Sequence, residues 1–280
     1  MAPYIETTLK SVLSQEYSNL EYIVIDGGST DGTQEIIEKY RNNLAYYISE
    51  PDNGMYDAIS KGFEKATGDI IAWINADDVY MPWTLQVVNE IFKKYPETQW
   101  IGGKYAFLNE NGTLAQIFPK TSVRGQKDIL NGWCRDGVLG PLQQESMFWR
   151  RGLYVKSGGL DTSYRFAGDF ELWTRFAKFA SLAKMDLPLA AFRKRGSSLS
   201  KAGREKYEAE IEKVIGRSPR YPNLLWKIFN KFDVGIQILR LLTYRKGIVF
   251  YYSMSQELEK RTVFCSSSNH SIQSLFVYRK

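Results

Sequence analysis

Short apolar runs alternate with amphipathic stretches through the first hundred residues, and that alternation restricts the chain to very few folds. Ile5, Leu9, Val12 and Leu13 recur at helical spacing and define one face. Leu20 to Asp26 (LEYIVID) reads as a buried strand, followed by the turn GGSTDG. Asp31, with Gln34 three residues on, marks a helix start that Ile36, Ile37 and Tyr40 continue. Leu44 to Ile48 is a second short strand. Ala58, Ile59, Phe63 and Ala66 form another helical face, stopped by Gly68. Asp69 to Ile74 (DIIAWI) is a third strand. Pro82 suits a first helical turn, and Leu85, Val88, Phe92 and Tyr95 carry that helix to Pro96. Strands separated in this way by helices predict a parallel sheet covered on both faces.

Beyond residue 97 the pattern changes. Trp100 to Leu108 and Leu114 to Phe118 flank Asn109 to Thr113 (NENGT), a hairpin signal. Residues 119–142 read as loop, Ser146 to Arg150 as a strand, and Asp169 opens a helix marked by Leu172, Phe176 and Phe179. Ala190 to Arg193 is a short strand. From Gly203 the chain reads as mostly helical, with Leu224, Leu225, Ile228, Phe232, Ile236, Leu239 and Leu242 as a long apolar stripe. Residues 262–280 are Ser-rich and aperiodic, and read as a disordered tail.

Composition excludes several classes. The two cysteines, Cys134 and Cys265, have no metal-ligand spacing, and the one histidine, His270, lies in the Ser-rich tail. A Ser-His-Asp hydrolase or a histidine metal cage is therefore not expected. The net charge of +6 is carried by the C-terminal part: residues 217–246 contribute +6, and residues 1–216 carry −2. The main body is not a nucleic-acid-type basic surface. The N-terminus lacks the basic and apolar regions of a signal peptide, and no apolar run reaches the ~20 residues of a membrane span.

In doubly wound sheets, ligands bind beyond the carboxyl ends of the strands. The first predicted strand ends at Asp26, before Gly27 and Gly28. A carboxylate there can accept hydrogen bonds from a base N–H or a ribose hydroxyl, or can simply cap an ordinary βα turn. The third strand ends Asn75-Ala76-Asp77-Asp78. Adjacent acids after an apolar strand suit Mg²⁺ or Mn²⁺ bridged to a diphosphate, unless the loop is merely solvated. Asp169 sits at a helix start, which favours its ionised form and suits a general base or a plain N-terminal helix acid.

Together the segments IVIDGGSTDGT, PDNGMYDAISKG (51–62), GDIIAWINADD (68–78), QQESMFWRRGLYVKSGGLD (143–161), AGDFELWTR (167–175) and AFRKRGSSLS (191–200) resemble bacterial family 2 glycosyltransferases, in order and spacing, over roughly residues 2–200. The branch they are most similar to assembles O-antigen, capsule or exopolysaccharide. The resemblance implies the GT-A nucleotide-diphospho-sugar transferase fold, with a Rossmann-like, mostly parallel sheet, helices on both faces and a C-terminal helical extension. It divides the chain into a transferase domain at 1–200, a basic amphipathic helical extension at 201–261 and the tail at 262–280. It further implies an inverting, hexosyl-type transferase using a nucleotide-sugar donor, UDP-linked, with Mn²⁺ or Mg²⁺ and a glycan or lipid-linked acceptor. Asp26 and Asp77 would bind nucleotide, Asp78 would hold the metal and Asp169 would be the catalytic base. Asn75 stands where the family has an acid and is not counted as a ligand. Trp149 and Trp173 would either wall the sugar pocket or pack in the core.

Two departures from the family pattern stand out. Relatives begin with a β-strand, whereas Met1-Ala2-Pro3-Tyr4 reads as already inside the first helix, so a central strand is expected to be lacking. Arg195 stands where many relatives place a histidine near the diphosphate, and arginine also neutralises phosphate. Two alternatives follow: a catalytically impaired remnant, or an Mg²⁺-dependent phosphohydrolase with Asp26 as nucleophile, which the glycine at 28 disfavours. Residues 217–246 are expected to touch an anionic membrane surface, giving a cytoplasmic enzyme peripheral to the inner membrane face.

Overall fold

The computed structural model describes residues 1–15, 17–118, 123–135, 139–196, 203–216, 245–252 and 257–265. Eight helices are described: α1 (Ala2–Leu13), α2 (Thr33–Glu38), α3 (Met55–Lys65), α4 (Thr84–Lys94), α5 (Gln126–Leu130), α6 (Arg151–Lys156), α7 (Gly168–Phe179) and α8 (Arg204–Ile215). The strands are β1 (Ile23–Asp26), β2 (Tyr46–Ser49), β3 (Ile70–Ile71), β4 (Val79–Tyr80), β5 (Trp100–Gly102), β6 (Ala106–Leu108), β7 (Leu114–Ile117), β8 (Met147–Arg150), β9 (Ala183–Met185), β10 (Ala190–Arg193), β11 (Arg245–Tyr252) and β12 (Leu258–Cys265).

The main sheet has six strands in the order β12-β11-β9-β5-β8-β3. Its centre mixes parallel pairs (β5–β9, β9–β11) with antiparallel ones (β5–β8, β3–β8). Side chains on a strand point alternately to opposite faces, and this sorts the core into two layers. Trp100, Met147 and Trp149 face α3, α6 and α7, where Phe63, Leu153, Trp173 and Phe176 meet them. Ile101 and Phe148 face the other way, onto Val12 of α1 and Val87, Val88, Ile91 and Phe92 of α4. This is an α/β domain with helices on both faces, as the alternation requires.

A second sheet, β4-β10-β6-β7, lies at the carboxyl end of the third apolar run. The stretch Trp100 to Leu108 is therefore two strands in two sheets. The chain bends at Gly102 and Gly103, where a Cβ on Gly103 would sit 2.7 Å from the Leu189 backbone nitrogen. β1 and β2 pair in parallel as a separate two-stranded ribbon.

The C-terminal region departs from expectation. α8 is the only helix described beyond residue 200. Residues 245–252 and 258–265 form an antiparallel hairpin that extends the main sheet beside β9, where helix and tail were expected. The run Ile248-Val249-Phe250-Tyr251-Tyr252 is β-branched and aromatic, which suits a sheet better than a helix. Val249, Phe250 and Tyr251 are buried, and Tyr252 Oη donates to Glu90 of α4 at 2.7 Å. Most of the basic stretch 217–246, on which the membrane expectation rests, lies outside the described residues, as do residues 266–280. Among the described residues no helix is long and apolar enough to cross a membrane.

Candidate active site

A cavity of about 1600 Å³ opens at the carboxyl ends of β1 and of the run after β3. Asp26, Asp77, Glu145 and Asp169 all line it. Three of the four acids singled out from the sequence thus share one cavity, and the fourth, Asp78, lies directly behind Asp77.

Asp26 ends β1, and the loop after it folds back onto its carboxylate. Gly28, at φ 79°, and Ser29 donate their backbone N–H groups to Oδ2 at 3.1 and 2.8 Å. Ser49 Oγ donates to the same oxygen at 2.6 Å, and Ser29 Oγ donates to Oδ1 at 2.5 Å. Burial alone would raise this acid, but the hydroxyl and amide donors outweigh it and hold Asp26 below the usual carboxylate range. Oδ2 is saturated, while Oδ1 keeps acceptor capacity.

Asp77 carries an ion pair to Arg195, with Nε 2.6 Å from Oδ2. Asp78 is fully buried. Its Oδ1 accepts the Arg193 backbone N–H at 2.9 Å, and its Oδ2 accepts Asn75 Nδ2 at 3.2 Å. Burial, and then the adjacent Asp77 charge, push Asp78 up to about 7. Asp77 is the acid presented to the cavity, and Asp78 ties the 75–78 loop to β10. The amide at 75 has a structural reason. Asn75 bridges Asp78 and Gln144 Oε1 at 3.3 Å, where an acid would add a third negative charge. Gln144 in turn donates to the Trp73 carbonyl at 2.6 Å.

Two arginines back this corner. Arg193 Nε donates to the Asp77 carbonyl at 2.7 Å, and the guanidinium carbons of Arg193 and Arg195 lie 5.1 and 5.2 Å from the centre of the Tyr4 ring. The first turn of α1 is thereby held against the acid pair.

Asp169 opens α7. Its Oδ1 accepts the Phe170 N–H at 2.8 Å and faces Tyr56 Oη at 3.2 Å. Burial raises Asp169 to about 6, against the lowering effect of those two donors. The preceding turn is clamped from α8: Glu210 accepts the backbone N–H groups of Arg165, Phe166 and Ala167 at 2.9, 2.9 and 2.7 Å. Ile211 of α8 is fully buried against Ala167 and Phe170. Residues 204–215 thus belong to the site's scaffold rather than to a separate extension.

Sequence reasoning did not assign Tyr56, Gln144 or Glu145, although the motif segments contain all three. Glu145 is 2% exposed, and its Oε1 has no hydrogen-bond partner among the described residues. Burial first, then Asp78 and Asp169, drive it well above the normal carboxylate range. Trp149 and Trp173 are core residues, 0% and 2% exposed, in a cluster with Trp73, Trp100 and Phe176. The aromatic wall of the cavity is elsewhere. Phe107 and Phe192 are register partners on β6 and β10, with Tyr105 and Phe118 beside them, and all four line the cavity.

An ion held by the chain alone would need a denser donor set. Among the described residues no three His, Cys, Asp or Glu side chains converge. Mg²⁺-type ions, however, are commonly held by one or two carboxylates with substrate phosphates supplying the rest. Asp77, presented to the cavity with the buried Asp78 behind it, fits that arrangement.

The sequence profile of glycosyl transferase family 2 matches residues 2–151. An uncharacterized glycosyltransferase of Nostoc sp. is 34% identical over 273 residues, spanning 91% of this chain and 80% of the relative. Another from Rickettsia typhi is 27% identical over 186 residues, 65% of this chain and 57% of its own length. Among solved structures, S. aureus TarS 1-349 in complex with UDP-GlcNAc superposes with a TM-score of 0.58 at 20% identity, covering 76% of this chain and 61% of that one. The mannosyltransferase PcManGT of Pyrobaculum calidifontis, in complex with GDP-Man and Mn²⁺, gives 0.55 at 19% identity, covering 85% and 67%. At such identities the likeness is one of fold, and that fold is GT-A.

Proposed function

The chain belongs to glycosyl transferase family 2, and from that membership we propose that it moves a sugar from a nucleotide-sugar donor to a saccharide or lipid-linked acceptor in cell-surface polysaccharide assembly. The observation that carries this reading is the single cavity shared by Asp26, Asp77 and Asp169. UDP-GlcNAc and GDP-Man in the structural neighbours support a nucleotide-sugar donor. Asp26 offers Oδ1 to the nucleoside. Asp77, backed by the buried Asp78, would hold Mn²⁺ or Mg²⁺ together with the donor phosphates, and Arg195 stands ready to transfer its charge from Asp77 to the diphosphate. When bound, the ion neutralises charge on the departing nucleoside diphosphate. Asp169 takes the proton of the acceptor hydroxyl as that oxygen attacks the anomeric carbon from the side opposite the leaving phosphate. One C–O bond forms as the other breaks, and the configuration inverts. The aromatic wall at Tyr105, Phe107, Phe118 and Phe192 is the acceptor side.

The test is nucleotide release from UDP-Glc, UDP-GlcNAc and GDP-Man with Mn²⁺, alongside calorimetry with UDP and GDP. Asp169→Asn should retain nucleotide binding and lose about 10²–10⁴-fold in transfer, the usual worth of a general base. Asp77→Asn should remove the Mn²⁺-dependent heat. A chain giving neither heat nor release with any of these nucleotides would be the impaired remnant instead.

A second part of the reading rests on the cavity's other end. There it runs as an apolar trough between β1 and residues 70–74, with Ile5 and Val12 of α1 on one side and Ile59 and Phe63 of α3 on the other. Protein interiors are close-packed, and buried backbone groups find partners. We infer that the trough has the length and lining to accept one extended apolar strand parallel to β1. Its carboxyl end would lie beside the first turn of α1, the arrangement of a right-handed β-α-β unit. A chain lengthened at its N-terminus by such a strand should gain both thermal stability and nucleotide affinity. Equal values with and without it would remove this part of the reading.

A further inference from the structure

Tyr56 belongs to the segment PDNGMYDAISKG, to which the sequence reading assigns no chemistry, yet it is bonded to the reacting end of α7. Its side chain is 3% exposed. Its Oη faces two acceptors, Asp169 Oδ1 at 3.2 Å and the Phe166 carbonyl at 3.3 Å, and it receives the Asp169 N–H at 3.2 Å. A phenol has one hydrogen to donate, so the two acceptors compete for it. With Phe170 N–H also on Oδ1, Oδ2 is left to meet an incoming hydroxyl.

We infer that Tyr56 is a positioning residue whose hydroxyl follows the charge of Asp169, donating to Oδ1 when the carboxylate is ionised and turning to the Phe166 carbonyl once Asp169 has taken a proton. This rests on the proposed role of Asp169 as base. Hydrogen bonds to an ionised acceptor are the stronger kind, which sets the first position. Protonation of Asp169 removes that advantage and leaves the neutral carbonyl as an equal alternative. Tyr56 keeps its own proton throughout. The proton taken by Asp169 comes from the acceptor hydroxyl and later passes to solvent. The ring itself is pinned: a Cβ on Gly168 would lie 2.8 Å from it, so only glycine admits it at the start of α7. Other charged groups face Asp169 as well. Glu210 of α8 acts on it as a like charge, Asp169 in turn raises the buried Glu145, and Tyr207 of α8 lies within electrostatic reach of Tyr56. The Tyr56 hydroxyl is the side-chain donor that meets Oδ1, at 3.2 Å.

The experiment is a ¹³C-carboxylate NMR titration of aspartate-labelled full-length protein, with Asp169→Asn supplying the assignment. Tyr56→Phe keeps the ring and removes only the hydroxyl. It should raise the Asp169 midpoint by about one unit, the tenfold equilibrium shift expected when one stabilising donor is lost. In turnover with the best nucleotide sugar and Mn²⁺, the acid limb of kcat should move up equally, leaving the donor KM unchanged. An Asp169 midpoint identical in wild type and Tyr56→Phe would overturn the inference. The titration needs no turnover. A shifted midpoint in a protein whose transfer is indifferent to Asp169→Asn would sink the base assignment and leave the Tyr56 coupling standing.

Discussion

At the scale of single residues, Asp169 and Asp78 are both acids raised by burial. Asp169 is raised to about 6 from an ordinary 3.8, chiefly by burial. A carboxyl raised in the folded state binds its proton more tightly there than in the unfolded chain. Its cost is absent below the unfolded value, grows as pH climbs from about 3.8 to about 6, and then levels at up to ~3 kcal/mol. Asp169→Asn should therefore raise the melting temperature at pH 8 and leave it nearly unchanged at pH 3.5, while cutting transfer by about 10²–10⁴-fold. Wild-type transfer should fall as pH drops below about 6, where the base is protonated. Asp78 is raised too, to about 7, so the same charge cost attaches to it above pH 3.8. At pH 3.5, where that cost is absent, Asp78→Ala should still lower stability in urea unfolding, because it strands the buried Arg193 N–H and an unpaired buried donor costs about 1–3 kcal/mol. Tyr56 and Gln144 could not be found from sequence because their partners lie far along the chain: Tyr56 meets Asp169 across 113 residues and Gln144 meets Asn75 across 69. Asp26, Asp77 and Asp169 were legible because each sits at an element boundary, and boundaries leave local signals.

At the scale of elements, the helices were readable where one face is apolar. Ile5, Leu9 and Val12 are the buried stripe of α1, and Val88 and Phe92 that of α4. Strands were harder. β3 contributes two ladder residues from the six-residue run Asp69 to Ile74, because only Ile70 and Ile71 pair with β8. The C-terminal hairpin was missed because an apolar aromatic run gives no period that separates strand from helix. The aromatic core joins these elements: Trp173 of α7 stacks on Trp73 at 5.7 Å and meets Trp149 of β8 at 5.2 Å. Trp173→Ala should cost about 3–5 kcal/mol in urea unfolding, far more than a pocket-wall tryptophan would. Gly168→Ala should displace α7 from α3 and so reduce transfer while sparing nucleotide affinity, read by the same release and calorimetry assays.

At the scale of the molecule, the β1–β2 ribbon has consequences beyond the site. Its ladder is its own, and among the described residues no backbone pairing joins it to the six-stranded sheet. It is moored by α1, α2 and α3, through contacts such as Ile5, Leu9 and Ile37 on Val24 and Tyr47 and the packing of Gly62 on Ile25. A unit moored by side chains alone can come away before the rest does. Native-state amide exchange should show Val24, Ile25, Tyr47 and Ile48 opening together, at a lower free energy than Ile101 and Phe148. The nucleotide end of the protein would then be its first part to melt, and a nucleotide bound there would act as a rivet for the whole domain.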